Sequence, residues 1–169
     1  MKLYVISDTH GRIDKALNVY KMLGTVDLII HLGDMERDAR RISEITDKTV
    51  ISVMGNNESA YEKEDFHILE TGYGNLLLTH GHKQKVKRGL QNLLYRTAEL
   101  GCKAALFGHT HEPVFTESDG IYLLNPGSLT VPKDGTAGSY AIVNVSRDAF
   151  AASIVYYHDG LYSSSKGFL

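Results

Sequence analysis

The 169-residue sequence predicts an α/β protein built as two packed sheets flanked by helices. Three observations predict it. The first third alternates short apolar runs with segments of helical period in the order β-α-β-α-β, which implies parallel strands joined by right-handed crossovers. From about residue 104 the chain becomes mostly β, its apolar runs separated by Ser-Asp-Gly, a long loop from Pro126 to Gly138, and Ser-Arg-Asp. Five short polar motifs each stand where an apolar run ends, and in parallel sheets ligands bind beyond the carboxyl ends of the strands.

Leu3-Tyr4-Val5-Ile6 has no polar alternation and reads as a strand covered on both faces. After Gly11, the spacing of Ile13, Ala16, Leu17, Tyr20 and Leu23 predicts an amphipathic helix closed by Gly24. Leu28-Ile29-Ile30 is the second strand. A helix over about 36 to 46 turns Ala39, Ile42 and Ile45 inward, and Val50–Met54 is the third strand. Phe66–Glu70 and Leu76–Thr79 flank Gly72 and Gly74 as a hairpin. The next helix is expected from about Lys87 to Leu100, with Leu90, Leu93, Leu94 and Ala98 on one face. Ala104–Phe107, Val114–Thr116, Ile121–Leu124, Tyr140–Val145 and Ala151–Tyr157 complete the strands. One domain is expected over 1–162, with 163–169 as a flexible tail.

Composition narrows the function. Hydrophobic content of 43% and charged content of 22% are ordinary for a globular protein, and a formal charge of -2 offers no electrostatic argument for nucleic acid or a membrane surface. The single cysteine, Cys102, excludes an internal disulfide framework and reads as a buried small hydrophobe. Asp8 and His10 interrupt the N-terminal apolar stretch at once, and no apolar run approaches the roughly 20 residues that cross a bilayer. A cytoplasmic protein without a membrane is expected, with a homo-oligomer left open.

The five motifs carry the chemistry. Asp8-Thr9-His10 follows the first strand, Gly33-Asp34 the second and Gly55-Asn56-Asn57-Glu58 the third. His80-Gly81-His82 follows Leu76–Leu78, and Gly108-His109-Thr110-His111 follows Ala104–Phe107. Carboxylate, imidazole and carboxamide groups thus reach the same kind of place five times, as a two-metal hydrolytic site requires. A carboxylate serving two ions needs both oxygens free, so Asp34 on its tight turn is the candidate bridge. Asp8 and His10 point the same way if strand geometry continues through Thr9. His109 and His111 form a similar pair, although on a loop they can diverge toward different ions. Asn56 offers a carbonyl oxygen and His80 a ring nitrogen. Two divalent ions bring +4 and the two carboxylates return -2, so the site stays positive and suits an anionic phosphate oxygen. Mixed imidazole and oxygen donors favour Mn, with Ni, Fe or Zn as alternatives, over Ca or Mg. Two such ions, roughly 3.5–4 Å apart, acidify a bridging water.

On these residues the chain resembles the calcineurin-like metallophosphoesterase superfamily, especially its small bacterial and archaeal phosphodiesterases. The likeness runs from Met1 to at least Ser128 and includes Asn125-Pro126-Gly127-Ser128. It implies a four-layer α/β/β/α sandwich with a dinuclear centre at the strand ends. By the same resemblance, Asp8, His10 and His111 bind one ion, Asn56, His80 and His109 the other, and Asp34 lies between. The implied chemistry is in-line attack by a bridging hydroxide on a small phosphoester, most simply a diester. Asn57 stands where many members carry a histidine that contacts phosphate or assists the leaving group, and an amide cannot protonate an alkoxide. His80 and His82 cannot both be ligands without crowding, so His82 is left as a residue on the substrate side.

Two rival functions share the fold: a phosphomonoesterase with the same centre, and a non-catalytic scaffold like a retromer subunit. Monoesters carry more charge and call for extra cations, of which Lys83, Lys85, Lys87, Arg88 and Arg12 are the candidates; Arg37 also stands next to a motif. The Lys83–Arg88 run is expected at a helix N-terminus, where the macrodipole disfavours cations, so it is either a solvated face or a guide for an anionic substrate. His31 inside an apolar strand reads as a core residue, and His67 and His158 have no motif around them.

Overall fold

A computed structural model describes residues 1–56 and 65–158. Asn57 and the expected tail at 163–169 lie outside the described residues. The element order is β1 (Lys2–Ile6), α1 (Asp14–Met22), β2 (Leu28–His31), α2 (Glu36–Thr46), β3 (Val50–Ser52), β4 (Phe66–Leu69) and β5 (Leu76–Thr79), then α3 (Gln91–Glu99), β6 (Ala104–Leu106), β7 (Pro113–Ser118), β8 (Ile121–Pro126), β9 (Ser139–Val145) and β10 (Phe150–Tyr156). The first sheet has the order β10-β9-β1-β2-β3 and the second the order β4-β5-β6-β8-β7. Strands β1, β2 and β3 are parallel, as are β5, β6 and β8, while the pairs β1–β9, β9–β10, β4–β5 and β7–β8 are antiparallel.

Side-chain alternation explains the layering. Leu3 and Val5 face Leu76, Leu78, Ala104 and Leu106 in a core between the sheets. Tyr4 and Ile6, on the other face of β1, pack with Ala16 and Val19 of α1 and Ile42 of α2. Leu77 and Ala105 do the same on the second sheet, against Leu93 and Leu94 of α3. Each central strand is therefore apolar on both faces, which is why its sequence shows a continuous run. The result is the expected α/β/β/α sandwich.

Three local expectations fail. Ile45, in the last turn of α2, is 55% exposed rather than turned inward. The helix expected from Lys87 begins only at Gln91; a separate 3-10 turn covers Val86–Arg88, and Gly89 between them takes a conformation outside both helices. The basic run is thus not at the N-terminus of α3, and the macrodipole argument against it does not apply. On α3, Thr97 rather than Ala98 is buried; its hydroxyl donates to the Leu93 carbonyl at 2.7 Å, which satisfies it inside an apolar layer. No helix among the described residues is long and apolar enough to cross a membrane.

Candidate metal centre

The candidate ligating motifs leave strand geometry immediately. Strand β1 ends at Ile6, and Asp8 and His10 both have left-handed backbones, with φ of 54° and 46°. The period-two argument for their shared direction therefore does not hold, yet the two side chains converge. Asp34, His109 and His111 are left-handed as well, at φ 57°, 71° and 62°. Non-glycine residues adopt this region at a cost, and such positions cluster at functional sites.

The convergence is close. One donor atom from each of Asp8, His10, Asp34 and His111 lies within 4.8 Å of all the others. His10 Nε2 and His111 Nε2 are 3.3 Å apart. On the other side, His80 Nε2 stands 3.2 Å from His109 Nδ1 and 3.1 Å from Asn56 Oδ1. Asp34 lies between the two groups: Oδ1 is 3.4 Å from His80 Nε2, and Oδ2 is 4.0 Å from His10 Nε2. So many electron-rich atoms at such distances require protons or cations among them, and this donor set fits divalent transition metals.

The ring orientations are set from outside. His80 Nδ1 donates to the Leu32 carbonyl at 2.7 Å, and His111 Nδ1 to the Val131 carbonyl at 2.8 Å. A carbonyl only accepts, so each Nδ1 carries hydrogen and Nε2 is the nitrogen turned inward. Asp8 is arranged the same way. Oδ2 accepts from the Ser7 hydroxyl and, at 3.0 Å, from the His109 amide. Oδ1 is fully buried and faces His111 Nε2 at 3.2 Å.

Protonation follows from these contacts. Burial pushes the Asp8 carboxyl up, but the hydrogen bond with His111, the field of His80 and the Ser7 hydroxyl outweigh it and hold it below the usual range. The same Asp8 contact raises His111 against the effect of burial. Burial, reinforced by His80 and Lys87, pushes His109 down to about 4, so its ring is neutral near pH 7 and one of its nitrogens is available to a metal.

The glycines in two motifs make room for the carboxylates. A Cβ at Gly55 would collide with Asp34 Oδ1, and one at Gly108 with Ser7 Oγ and Asp8 Oδ2. A second layer holds the loops in place. Asp38 of α2, 1% exposed, accepts from Thr9 Oγ1 at 2.6 Å and from the Gly11 amide at 2.7 Å, which fixes the turn carrying His10. Thr9 Oγ1 also lies 2.9 Å from Nε2 of His31, a fully buried core residue as expected. Asn125 Nδ2 donates to the Gly108 carbonyl, while the hydroxyls of Ser128 and Thr130 donate to the Asp8 carbonyl. The sequence reading missed Asp38 and Thr130. The signal for Asp38 was an acidic residue four positions before Ile42, on the apolar face of α2.

His82 lies beside the donor groups rather than among them, with ring centroids 5.5 Å from His80 and 6.2 Å from His109. Burial, then His80, lowers its basicity. Of the basic run, Lys83 pairs with Asp65 at 3.4 Å, and Lys87 lines a cleft next to the His109 loop. His67 and His158 are exposed and take no part.

The calcineurin-like phosphoesterase superfamily domain matches residues 1–148. The chain is 34% identical to the probable metallophosphoesterase YsnB of Bacillus subtilis over 158 residues, covering 93% of this chain and 90% of that protein. It is 31% identical to the phosphodiesterase YfcE of Escherichia coli, over 85% of this chain and 88% of that one. Among solved structures, a predicted phosphoesterase from Streptococcus pneumoniae superposes with a TM-score of 0.76 at 27% identity, covering 92% and 88% of the two chains. Vps29 from Entamoeba histolytica complexed with zinc has a TM-score of 0.74 over 92% and 99%; at 19% identity it shows the shared fold alone. With its Asp and His donors gathered at one end of two packed sheets, the chain belongs to the calcineurin-like phosphoesterase superfamily, a family of metal-dependent hydrolases of phosphoric esters.

Proposed function

We propose that the protein is a phosphodiesterase with a dinuclear centre. Asp8, His10 and His111 would hold one ion, Asn56, His80 and His109 the other, and Asp34 would bridge them. The observation that carries this reading is the placement of Asp34, whose two oxygens face imidazoles of two separate donor groups. Divalent ions held there, with Mn favoured by the mixed nitrogen and oxygen donors, would supply an acidified water and charge neutralisation for in-line displacement at phosphorus.

The chain's own residues do the rest. The Leu32 and Val131 carbonyls hold His80 and His111 with Nε2 inward, and the His109 amide holds Asp8 with Oδ1 inward. A diester is favoured over a monoester because two of the candidate cations are committed elsewhere. Arg12 donates to the Thr130 carbonyl at 3.1 Å, and Lys83 pairs with Asp65. The intact donor set, with its outer hydrogen bonds, argues for chemistry over a scaffold role.

The test is metal analysis of the protein reconstituted separately with Mn, Ni, Zn and Mg, joined to kinetics on bis(p-nitrophenyl) phosphate and p-nitrophenyl phosphate. Two ions per chain and a higher kcat/KM for the diester are expected. A single ion per chain overturns the dinuclear reading, and no hydrolysis with any metal overturns the enzyme.

A further inference from the structure

A cleft of about 370 Å³ lies beside the loop that carries His109 and His111. Its apolar wall is made by Val86, Leu90, Phe107 and Val114. Phe107 immediately precedes Gly108-His109, and Thr110, between the two histidines, also lines the cleft. Lys87 and Lys133 stand on it with Glu112, leaving one net positive charge. Both lysines belong to the neighbourhood of the donor groups. Lys87 acts on His109 through space, and the Lys133 amide donates to the His111 carbonyl at 3.3 Å.

The volume is near the lower end of ligand sites, which run from about 300 to 1,000 Å³. It takes one ring and a small substituent, not a second nucleotide-sized group. The walls favour a planar apolar body, and the residual charge favours an anionic tip. On the phosphodiesterase reading above, we infer that this cleft is the subsite for one ester substituent of the substrate, an aromatic group bearing a single negative charge that Lys87 and Lys133 receive. The substrate class is thus a phosphodiester with an acidic aromatic arm.

The test compares bis(4-carboxyphenyl) phosphate with its neutral isostere, bis(4-carbamoylphenyl) phosphate, on the metal-loaded enzyme. The carboxamide withdraws electrons more strongly, so leaving-group acidity alone favours the neutral compound. The wild type is expected to prefer the carboxylate by roughly fivefold in kcat/KM, the scale of exposed ion pairs, with the difference in KM. The double variant Lys87→Ala/Lys133→Ala should lose that preference, its carboxylate-to-carboxamide ratio in kcat/KM falling to one or below. Equal kcat/KM in the wild type, or an unchanged preference in the double variant, overturns the subsite. Failure of the phosphodiesterase reading shows differently, as no hydrolysis of either compound or of bis(p-nitrophenyl) phosphate. A second readout needs no metal. Methyl NMR signals of Val86, Leu90 and Val114 should shift with 4-hydroxybenzoate more than with 4-hydroxybenzamide, and equally with both in the double variant. Absence of any shift, or equal shifts in the wild type, overturns the inference.

Discussion

Asp34 Oδ1 lies 3.4 Å from His80 Nε2, while the other oxygen of the same carboxylate is turned to His10. Its loss would remove a bond from each proposed ion and raise their mutual repulsion. Asp34→Asn is therefore expected to cost more activity than any other single ligand change, beyond the roughly 100-fold at which changes around metal ligands usually end. Asparagine tolerates the left-handed backbone at φ 57°, so the fold should persist. Turnover and bound metal are measured together; two ions retained with near-normal kcat would refute the bridge.

Asp38→Ala tests the layer behind the ligands. The change removes the acceptor of the half-buried Gly11 amide and leaves the buried Thr9 hydroxyl with His31 alone, which costs about 1–3 kcal/mol. It should also weaken metal affinity by about 10- to 100-fold through the displaced His10 turn. Denaturant unfolding and metal titration check the two effects separately. Asp38→Asn, which keeps one acceptor, should fall between wild type and alanine in both.

Protons compete with the metal at His111. Its pKa lies above the ordinary histidine value because of Asp8, so the protonated ring forms an ion pair in the metal-free protein. That pair stabilises the metal-free fold fully below about pH 6.5, and its contribution is lost as pH rises through the raised value. An incoming ion must displace the proton. Calorimetry in buffers of different ionisation enthalpy should show proton release near pH 7 that falls as pH increases, and less release in His111→Ala. His109, held at about 4, contributes none there. Release that is the same in His111→Ala would remove His111 from the site.

The leaving group supplies the fourth prediction. Asn57 lacks a transferable proton, and burial beside His80 makes His82 a weaker base than usual. Activity should fall steeply from aryl to alkyl diesters, since general acid catalysis is worth about 10² to 10⁴-fold where present. The measurement is kcat across leaving-group pKa in wild type and His82→Ala. A flat wild-type dependence that steepens in His82→Ala would identify His82 as the acid.

Much of the fold was legible because the central strands are apolar on both faces and helices such as α1 keep a clean period. The failures lie where a short element ends. Nothing in the spacing of Ile45 or Ala98 says whether the last turn still touches the sheet, since helix register and crossing angle decide that. That these donor groups would gather in one place was legible from motif order. Their geometry was not, because Asp8, His10 and Asp34 converge through left-handed turns whose φ no side-chain pattern encodes. Asp38 was missed because only its spacing to Ile42, and not its residue type, sets it on the inward face of α2.

The left-handed ligand loops also bear on how this protein can be engineered. Five of its proposed ligands occupy backbone states in which glycine or asparagine would rest more easily. A selection for thermal tolerance that ignores turnover would therefore find some of its gains at those positions, and each gain would erase a donor. Heat resistance and chemistry are drawn from the same few torsions, so a robust catalyst must gain its stability in the sheets and outer helices instead.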